Sequence, residues 1–178
     1  MKIVIIGNSG SGKTWLAENL ASLITAPLIH LDDIFWDSQG FEKKRPHEEV
    51  SRLIETSMKP NNWIVEGVFG SLVESYLPES DMLIWLNIDW ATCKYRLLLR
   101  GSESHSHMGR EQSELGLMKL ISWASTYNSR RDDCSFHGHQ DLFSKFNGLR
   151  FCFNNESSVA AFLEESNLNN VTALKYAH

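Results

Sequence analysis

The feature that most limits what this chain can fold into lies at its start. A nearly all-apolar run over residues 2–6 leads into Gly7-Asn8-Ser9-Gly10-Ser11-Gly12-Lys13-Thr14, and leucines at helical spacing follow, Leu16, Leu20 and Leu23. The β-branched run reads as a strand covered on both faces. The leucine spacing predicts a helix over Lys13–Ile24. The octapeptide between them fits G-x-x-x-x-G-K-[ST], a match that four fixed positions would produce by chance in well under about one chain of this size in a hundred. A strand that turns through glycines into a helix is the opening unit of a layered α/β structure.

That turn has a chemistry of its own. Glycines let the backbone curl closely around an anion, because a Cβ would block the approach or the dihedrals. Successive backbone N–H groups then form an anion nest, and the helix start adds its positive dipole end. In such a loop Lys13 reaches the β- and γ-phosphates and Thr14 offers its hydroxyl to Mg²⁺. Gly7, Asn8, Ser9, Gly10, Ser11, Gly12, Lys13 and Thr14 are therefore the expected nucleotide-binding residues, with Mg-ATP as the expected ligand. The plain alternative is a glycine-rich turn without a ligand.

The alternation continues along the chain. Residues 27–31, 63–66, 82–88 and 149–153 read as further strands. Helical patterns cover residues 46–58, 90–100, 113–131 and 157–165. Residues 132–148 are ambiguous, and neither 68–81 nor the last dozen residues receive an assignment. Five strands with intervening helices predict one doubly wound five-stranded parallel sheet with right-handed crossovers, in a single α/β domain over residues 1–178. A length of 178 residues with 42% hydrophobic and 22% charged residues suits one such core. Ligands of these sheets bind beyond the carboxyl ends of the strands, where each of the following motifs falls.

His30-Leu31-Asp32-Asp33 follows the second expected strand. Asp32, the nearer to the strand, or Asp33 would orient an acceptor hydroxyl, take its proton or hold a Mg²⁺ water; a helix N-cap is the alternative. Glu66, before Gly67, has the position of the second acidic motif that holds Mg²⁺ through water, although aspartate is commoner there; a surface glutamate at a strand end is the alternative. Arg96 and Arg100 lie four apart on one helix face, where they would cover transferring charge or merely solvate the helix. Arg110, Arg130 and Arg131 are further candidate cations. Residues 101–113 read as a polar lid, and residues 32–60 as the acceptor-binding segment, with Phe35, Trp36 and Phe41 available for stacking or for the core.

Other features exclude rather than assign. A formal net charge of −5 opposes direct nucleic-acid binding. The apolar N-terminal run is too short for a signal segment, and no run spans a bilayer, which predicts a cytoplasmic protein. Cys93, Cys134 and Cys152 are expected as reduced, mostly buried thiols. The pairs His105/His107 and His137/His139 lack the remaining ligands of a structural zinc site and read as polar loops.

The three motifs together resemble the adenylate-kinase-related P-loop proteins described as DNA topology modulation protein FlaR-related. In those a phosphate loop is followed by His-Leu-Asp-x-x-Phe-Trp and by Trp-Ile-x-[Asp/Glu]-Gly; here these are Gly7 to Thr14, His30 to Trp36 and Trp63–Gly67. The resemblance implies a P-loop fold of the nucleotide-kinase type with a lid. Beside the catalytic roles already read for Lys13 and Asp32 and the metal-binding roles of Thr14 and Glu66, it implies that Arg96 stacks on adenine and Arg100 contacts phosphate; Arg131 remains a catalytic candidate only as a substitute cation. It also exposes a departure. The wider kinase family carries an arginine four residues before a tyrosine, where this chain has Trp123 before Tyr127, so Arg130 or Arg131 would have to supply that cation. The function implied is transfer of the γ-phosphoryl group of ATP to a small-molecule or nucleotide acceptor. A nucleotide-dependent regulatory module is the competing class, carried only by Asp37-Ser38-Gln39-Gly40 as a D-x-x-G match, and a slow ATPase without an acceptor is a third.

Overall fold

The structure is a computed structural model that describes residues 1–37, 43–101 and 114–169. Five strands, β1 (Lys2–Gly7), β2 (Leu28–His30), β3 (Trp63–Gly67), β4 (Met82–Leu86) and β5 (Leu149–Phe153), form one sheet in the order β2-β3-β1-β4-β5. Every pairing is parallel. Helices α1 (Lys13–Ile24), α2 (Leu31–Phe35), α3 (His47–Ser57), α4 (Gly70–Tyr76), α5 (Trp90–Arg100), α6 (Glu114–Ser125), α7 (Phe136–Lys145) and α8 (Glu156–Asn169) flank it.

The period of two along a strand explains why β1 is apolar throughout. Val4 and Ile6 point into a cluster with Val65, Leu83 and Trp85, covered by Leu31 and Ile34 of α2, Val50 and Ile54 of α3, Val73 of α4 and Leu142 of α7. Ile3 and Ile5 point the other way, with Ile64 and Ile84, against Leu16 and Leu20 of α1 and Val159 and Phe162 of α8. Each fully buried aliphatic side chain contributes about 1.5–3 kcal/mol, so a polar residue at any central β1 position would cost one of the two layers. Edge strand β5 alternates instead. Leu149, Phe151 and Phe153 face the second cluster, while Arg150 and Cys152 are exposed.

The expected doubly wound parallel sheet is thus the observed one, but the helices differ: α2 and α4 lie where the sequence assigned no helix, and two further differences fall in the second half of the chain. The helix expected over 113–131 stops at Ser125. There the amides of Thr126 and Tyr127 bond three residues back, to the carbonyls of Trp123 and Ala124. The hydroxyls of Ser125 and Thr126 also bond backbone carbonyls three residues back, a competition that helix interiors resist. Conversely, the ambiguous stretch 132–148 contains α7. Ser135 caps it by accepting the Gly138 amide at 3.2 Å. Gly138 is needed because a Cβ there would lie 2.6 Å from the carbonyl oxygens of Asp132 and Asp133. No helix among the described residues is long and apolar enough to cross a membrane.

Candidate active site

The carboxyl ends of β1, β2 and β3 carry the residues singled out by sequence. Gly7, Gly10 and Gly12 adopt φ of 153°, 81° and 96°. A Cβ on Gly10 would lie 2.5 Å from the Cys93 carbonyl oxygen, and one on Gly7 would lie 2.6 Å from that of Leu86. The loop therefore needs glycine for both backbone conformation and space. Asn8 anchors its first half. Its Nδ2 donates to the Ala124 carbonyl at 3.0 Å, and its Oδ1 accepts the Ser9 amide at 2.8 Å. Ser11 is buried, and its Oγ has no hydrogen-bond partner among the described residues. A buried, unpaired hydroxyl inside a glycine cradle is costly unless a ligand satisfies it. The loop thus fits the phosphate tail expected of it, and Lys13, whose Nζ donates to the Asn8 carbonyl at 3.0 Å, lies folded against the same loop.

Behind the loop sits a charged cluster. Glu66 is 5% exposed at the end of β3. Its Oε1 accepts the Thr14 hydroxyl at 3.0 Å and lies 2.8 Å from His30 Nδ1. Burial would raise the Glu66 pKa, but the His30 bond and the Lys13 charge outweigh it and hold the carboxyl below the ordinary value. His30 responds in the opposite sense. Burial lowers its pKa, and the Glu66 bond and charge more than reverse that, so the imidazole is raised. The contact thus favours the charged form of both partners. Asp32 is ringed by protein although its side chain keeps some solvent contact. Burial first, and then the Glu66 charge, push its carboxyl up to about 6, against the pull of Lys13.

Asp32 and Asp33 lie in the first turn of α2. The N-cap is His30, with no side-chain cap bond, so the capping alternative is set aside. Gly67 makes this arrangement possible, since a Cβ there would lie 2.6 Å from Leu31 Cβ and push α2 off the sheet.

Lys13, Thr14, Asp32 and Glu66 are thus brought together. Arg100 closes the C-terminal end of α5; partial burial of its guanidinium lowers its pKa from the ordinary value, and the nearby Asp32 carboxylate opposes that in part. Arg96 behaves differently. Its Nη1 donates to the carbonyls of Gly10 at 3.3 Å and Ser11 at 2.8 Å, and its Nη2 pairs with Glu156 at 2.7 Å. It braces the loop from outside, and nothing in the sequence singled out Glu156. Arg131 is exposed in the turn after α6, and no described hydrogen bond or ion pair links it to the crevice. Its neighbour Arg130 is turned inward, with its guanidinium carbon 3.9 Å from the Trp123 ring centre and Nη2 bonded to the Cys134 carbonyl.

Several expectations are corrected. His137 and His139 lie on α7 and not in a polar loop, and His139 is fully buried. For Phe35 and Trp36 the core alternative is the observed one: Phe35 stacks on Phe69 at 4.2 Å and meets Trp36 edge-on at 4.7 Å, and both pack with the core cluster. Of the cysteines, Cys93 is buried, but Cys134 is half-buried and Cys152 exposed; none is in a disulfide. Phe41, Arg110, His105, His107, the segment 102–113 of the expected lid and most of the D-x-x-G match lie outside the described residues. A cavity of about 270 Å³ is lined by Asn8 together with Asn87, Trp90, Tyr127 and Asn154; none of Lys13, Asp32 and Glu66 lines it.

A second polar cluster escaped the sequence entirely. Trp85 Nε1 donates to Tyr127 Oη at 3.1 Å, Tyr127 Oη lies 2.7 Å from His139 Nδ1, and His139 Nε2 lies 2.9 Å from the Val68 carbonyl. A carbonyl can only accept, so Nε2 carries the proton, Nδ1 accepts from Tyr127, and every group is paired. Burial is the main reason that the His139 pKa falls to about 4.

No family model and no curated protein matches the chain. Solved structures do. A shikimate kinase from Bacteroides thetaiotaomicron aligns at TM-score 0.52 and 17% identity, over 97% of this chain and 98% of that one. A gluconokinase from Sinorhizobium meliloti aligns at TM-score 0.53 and 15% identity, over 99% and 97%. The chain shares the fold of these two kinases. Identities this low establish architecture and leave chemistry to the residues themselves.

Proposed function

We propose that this chain is an adenylate-kinase-like phosphotransferase that moves the γ-phosphoryl group of Mg-ATP to a small-molecule or nucleotide acceptor. The observation that carries the reading is the convergence of Lys13, Thr14, Glu66 and Asp32 on one glycine cradle that contains a buried, unpaired hydroxyl. The two kinases of similar fold support it, and so does the resemblance to the FlaR-related P-loop proteins. Bound Mg²⁺ would neutralise phosphate charge, and the Thr14 hydroxyl and Glu66 carboxylate are the residues fitted to hold it.

The chain's own groups account for the rest. The loop amides of residues 7–14 bind and orient the polyphosphate, and Lys13 leaves the Asn8 carbonyl to meet the β- and γ-phosphates. Arg96 keeps the loop in shape through the Gly10 and Ser11 carbonyls, and its guanidinium would stack on the nucleotide base. Asp32 serves as the base. With a pKa of about 6 it is mostly ionised at pH 7 yet a better proton acceptor than an ordinary aspartate. As the acceptor oxygen bonds to the γ-phosphorus, the bond to the β–γ bridging oxygen breaks, and the acceptor proton passes to Asp32. Arg100, and Arg131 from the turn after α6, would supply further positive charge. Reduced thiols at Cys93, Cys134 and Cys152 are consistent with a cytoplasmic setting for this chemistry.

The test is ATP consumption across a panel of nucleosides, nucleotides, sugars and small acids, with Lys13→Ala as the blank. Turnover should depend on one acceptor class and vanish in the variant. Equal rates in wild type and variant would overturn the reading; wild-type turnover that no acceptor accelerates would reduce it to a slow ATPase.

A further inference from the structure

Glu66 is one methylene longer than the aspartate commoner at this place. A longer side chain carries its carboxylate further into the crevice and adds a torsion that must be fixed. The Thr14 hydroxyl fixes it from one side, at 3.0 Å from Oε1. His30 fixes it from the other, with Nδ1 2.8 Å from the same oxygen. Both donors converge on Oε1, and among the described residues no protein donor reaches Oε2. His30 is delivered there by the sheet itself, because β2 pairs with β3 in parallel and sets His30 opposite Glu66. Gly67 then lets Leu31 pack against the end of β3 without displacing that register.

We propose, resting on the phosphotransferase reading, that His30 is a positioning residue for the metal-facing carboxylate: its Nδ1–H holds Oε1 of Glu66 so that Oε2 is left to a divalent cation or its water. The extra methylene of Glu66 and the imidazole of His30 form one device, and neither works alone. Groups that orient a metal-binding carboxylate typically account for 10–100-fold in metal affinity.

The experiment measures Mn²⁺ binding to the ADP complex by the loss of the free Mn²⁺ EPR signal, and ADP binding without divalent cation by calorimetry. Thermal unfolding of each apo variant serves as a check that it is folded. His30→Ala should raise the half-saturating Mn²⁺ concentration about tenfold and leave metal-free ADP binding within about twofold. A merely structural role would weaken both. His30→Asn, whose amide nitrogen replaces Nδ1, should restore metal binding. His30→Gln, whose nitrogen falls nearer Nε2, should resemble alanine and stands in if alanine unfolds. In a Glu66→Asp background, His30→Ala should change Mn²⁺ binding less than about twofold, because the shorter carboxylate no longer meets the imidazole. Equal losses in both backgrounds, or no loss in the Glu66 background, would overturn the proposal while leaving the phosphotransferase reading intact. A wild type that binds no Mn²⁺ with ADP would overturn both.

Discussion

Two buried polar clusters flank the carboxyl ends of the central strands, and they are built on opposite principles. Around Glu66 the groups are mostly ionisable, two donors crowd onto one oxygen, and the carboxyls of Asp32 and Glu66 are held away from their ordinary titration range in opposite directions. Around Tyr127 the groups are neutral, and each donor meets one acceptor, from the Trp85 indole through Tyr127 and His139 to the Val68 carbonyl. The first cluster retains capacity, in Oε2 of Glu66, Ser11 Oγ and the loop amides. The second has none left, and it ties α7 and the turn after α6 to the ends of β3 and β4. A polar cluster with spare capacity is fitted to a ligand, whereas one that is closed on itself is fitted to hold backbone in place.

Breaking each cluster should therefore give opposite signatures. Lys13→Ala should have the largest effect, a fall of about a thousandfold or more in turnover with thermal stability nearly unchanged. Binding and rate equal to wild type would remove the first half of the contrast. Asp32→Asn should lower turnover by about a hundredfold while leaving stability equal or higher, because a carboxylate forced to ionise in a crowded, partly desolvated place is lost. A large loss of stability would make Asp32 a structural residue.

Tyr127→Phe should invert the pattern. It leaves the Trp85 indole and His139 Nδ1 buried without partners, at a cost of about 2–3 kcal/mol of unfolding free energy, with the ADP dissociation constant within about twofold. The smallest effect is a pH dependence. His139 has an ordinary value near 6.5 in the unfolded chain and about 4 when folded. The unfolded state alone binds a proton between those values, so its contribution is fully present above about pH 6.5 and is lost as pH falls towards 4. By pH 5 this amounts to about 2 kcal/mol. The imidazole resonances of His139 should not titrate above pH 5; a midpoint near 6.5 would show that the second cluster is open to water.

How far the sequence alone could go follows from the range of the interactions. The glycine loop of residues 7–14 was legible because its constraints are local. Glycine is demanded by backbone dihedrals and close approach within eight residues, and the flanking strand and helix announce themselves by period. Doubly covered strands are likewise legible from unbroken apolar runs, which is why the parallel sheet could be expected. Element ends were less so, as at Ser125, where hydroxyls bonding back to the chain compete with a helix whose apolar pattern continues.

What tertiary structure alone decided is which distant residues meet. Nothing near His139 in sequence distinguishes it from a surface histidine, since Tyr127 and Val68 become its partners only when α7 docks. His30 and Glu66 stand 36 positions apart, and the register of β2 on β3 makes them neighbours. Arg96 could be placed on a helix face in advance, yet its bonds to the loop carbonyls and to Glu156 depend on where α5 and α8 pack. The sequence determines backbone geometry where sterics act over a few residues. Charge state and hydrogen-bond partnership depend on burial and on approach across the fold, and these exist only once the sheet is assembled.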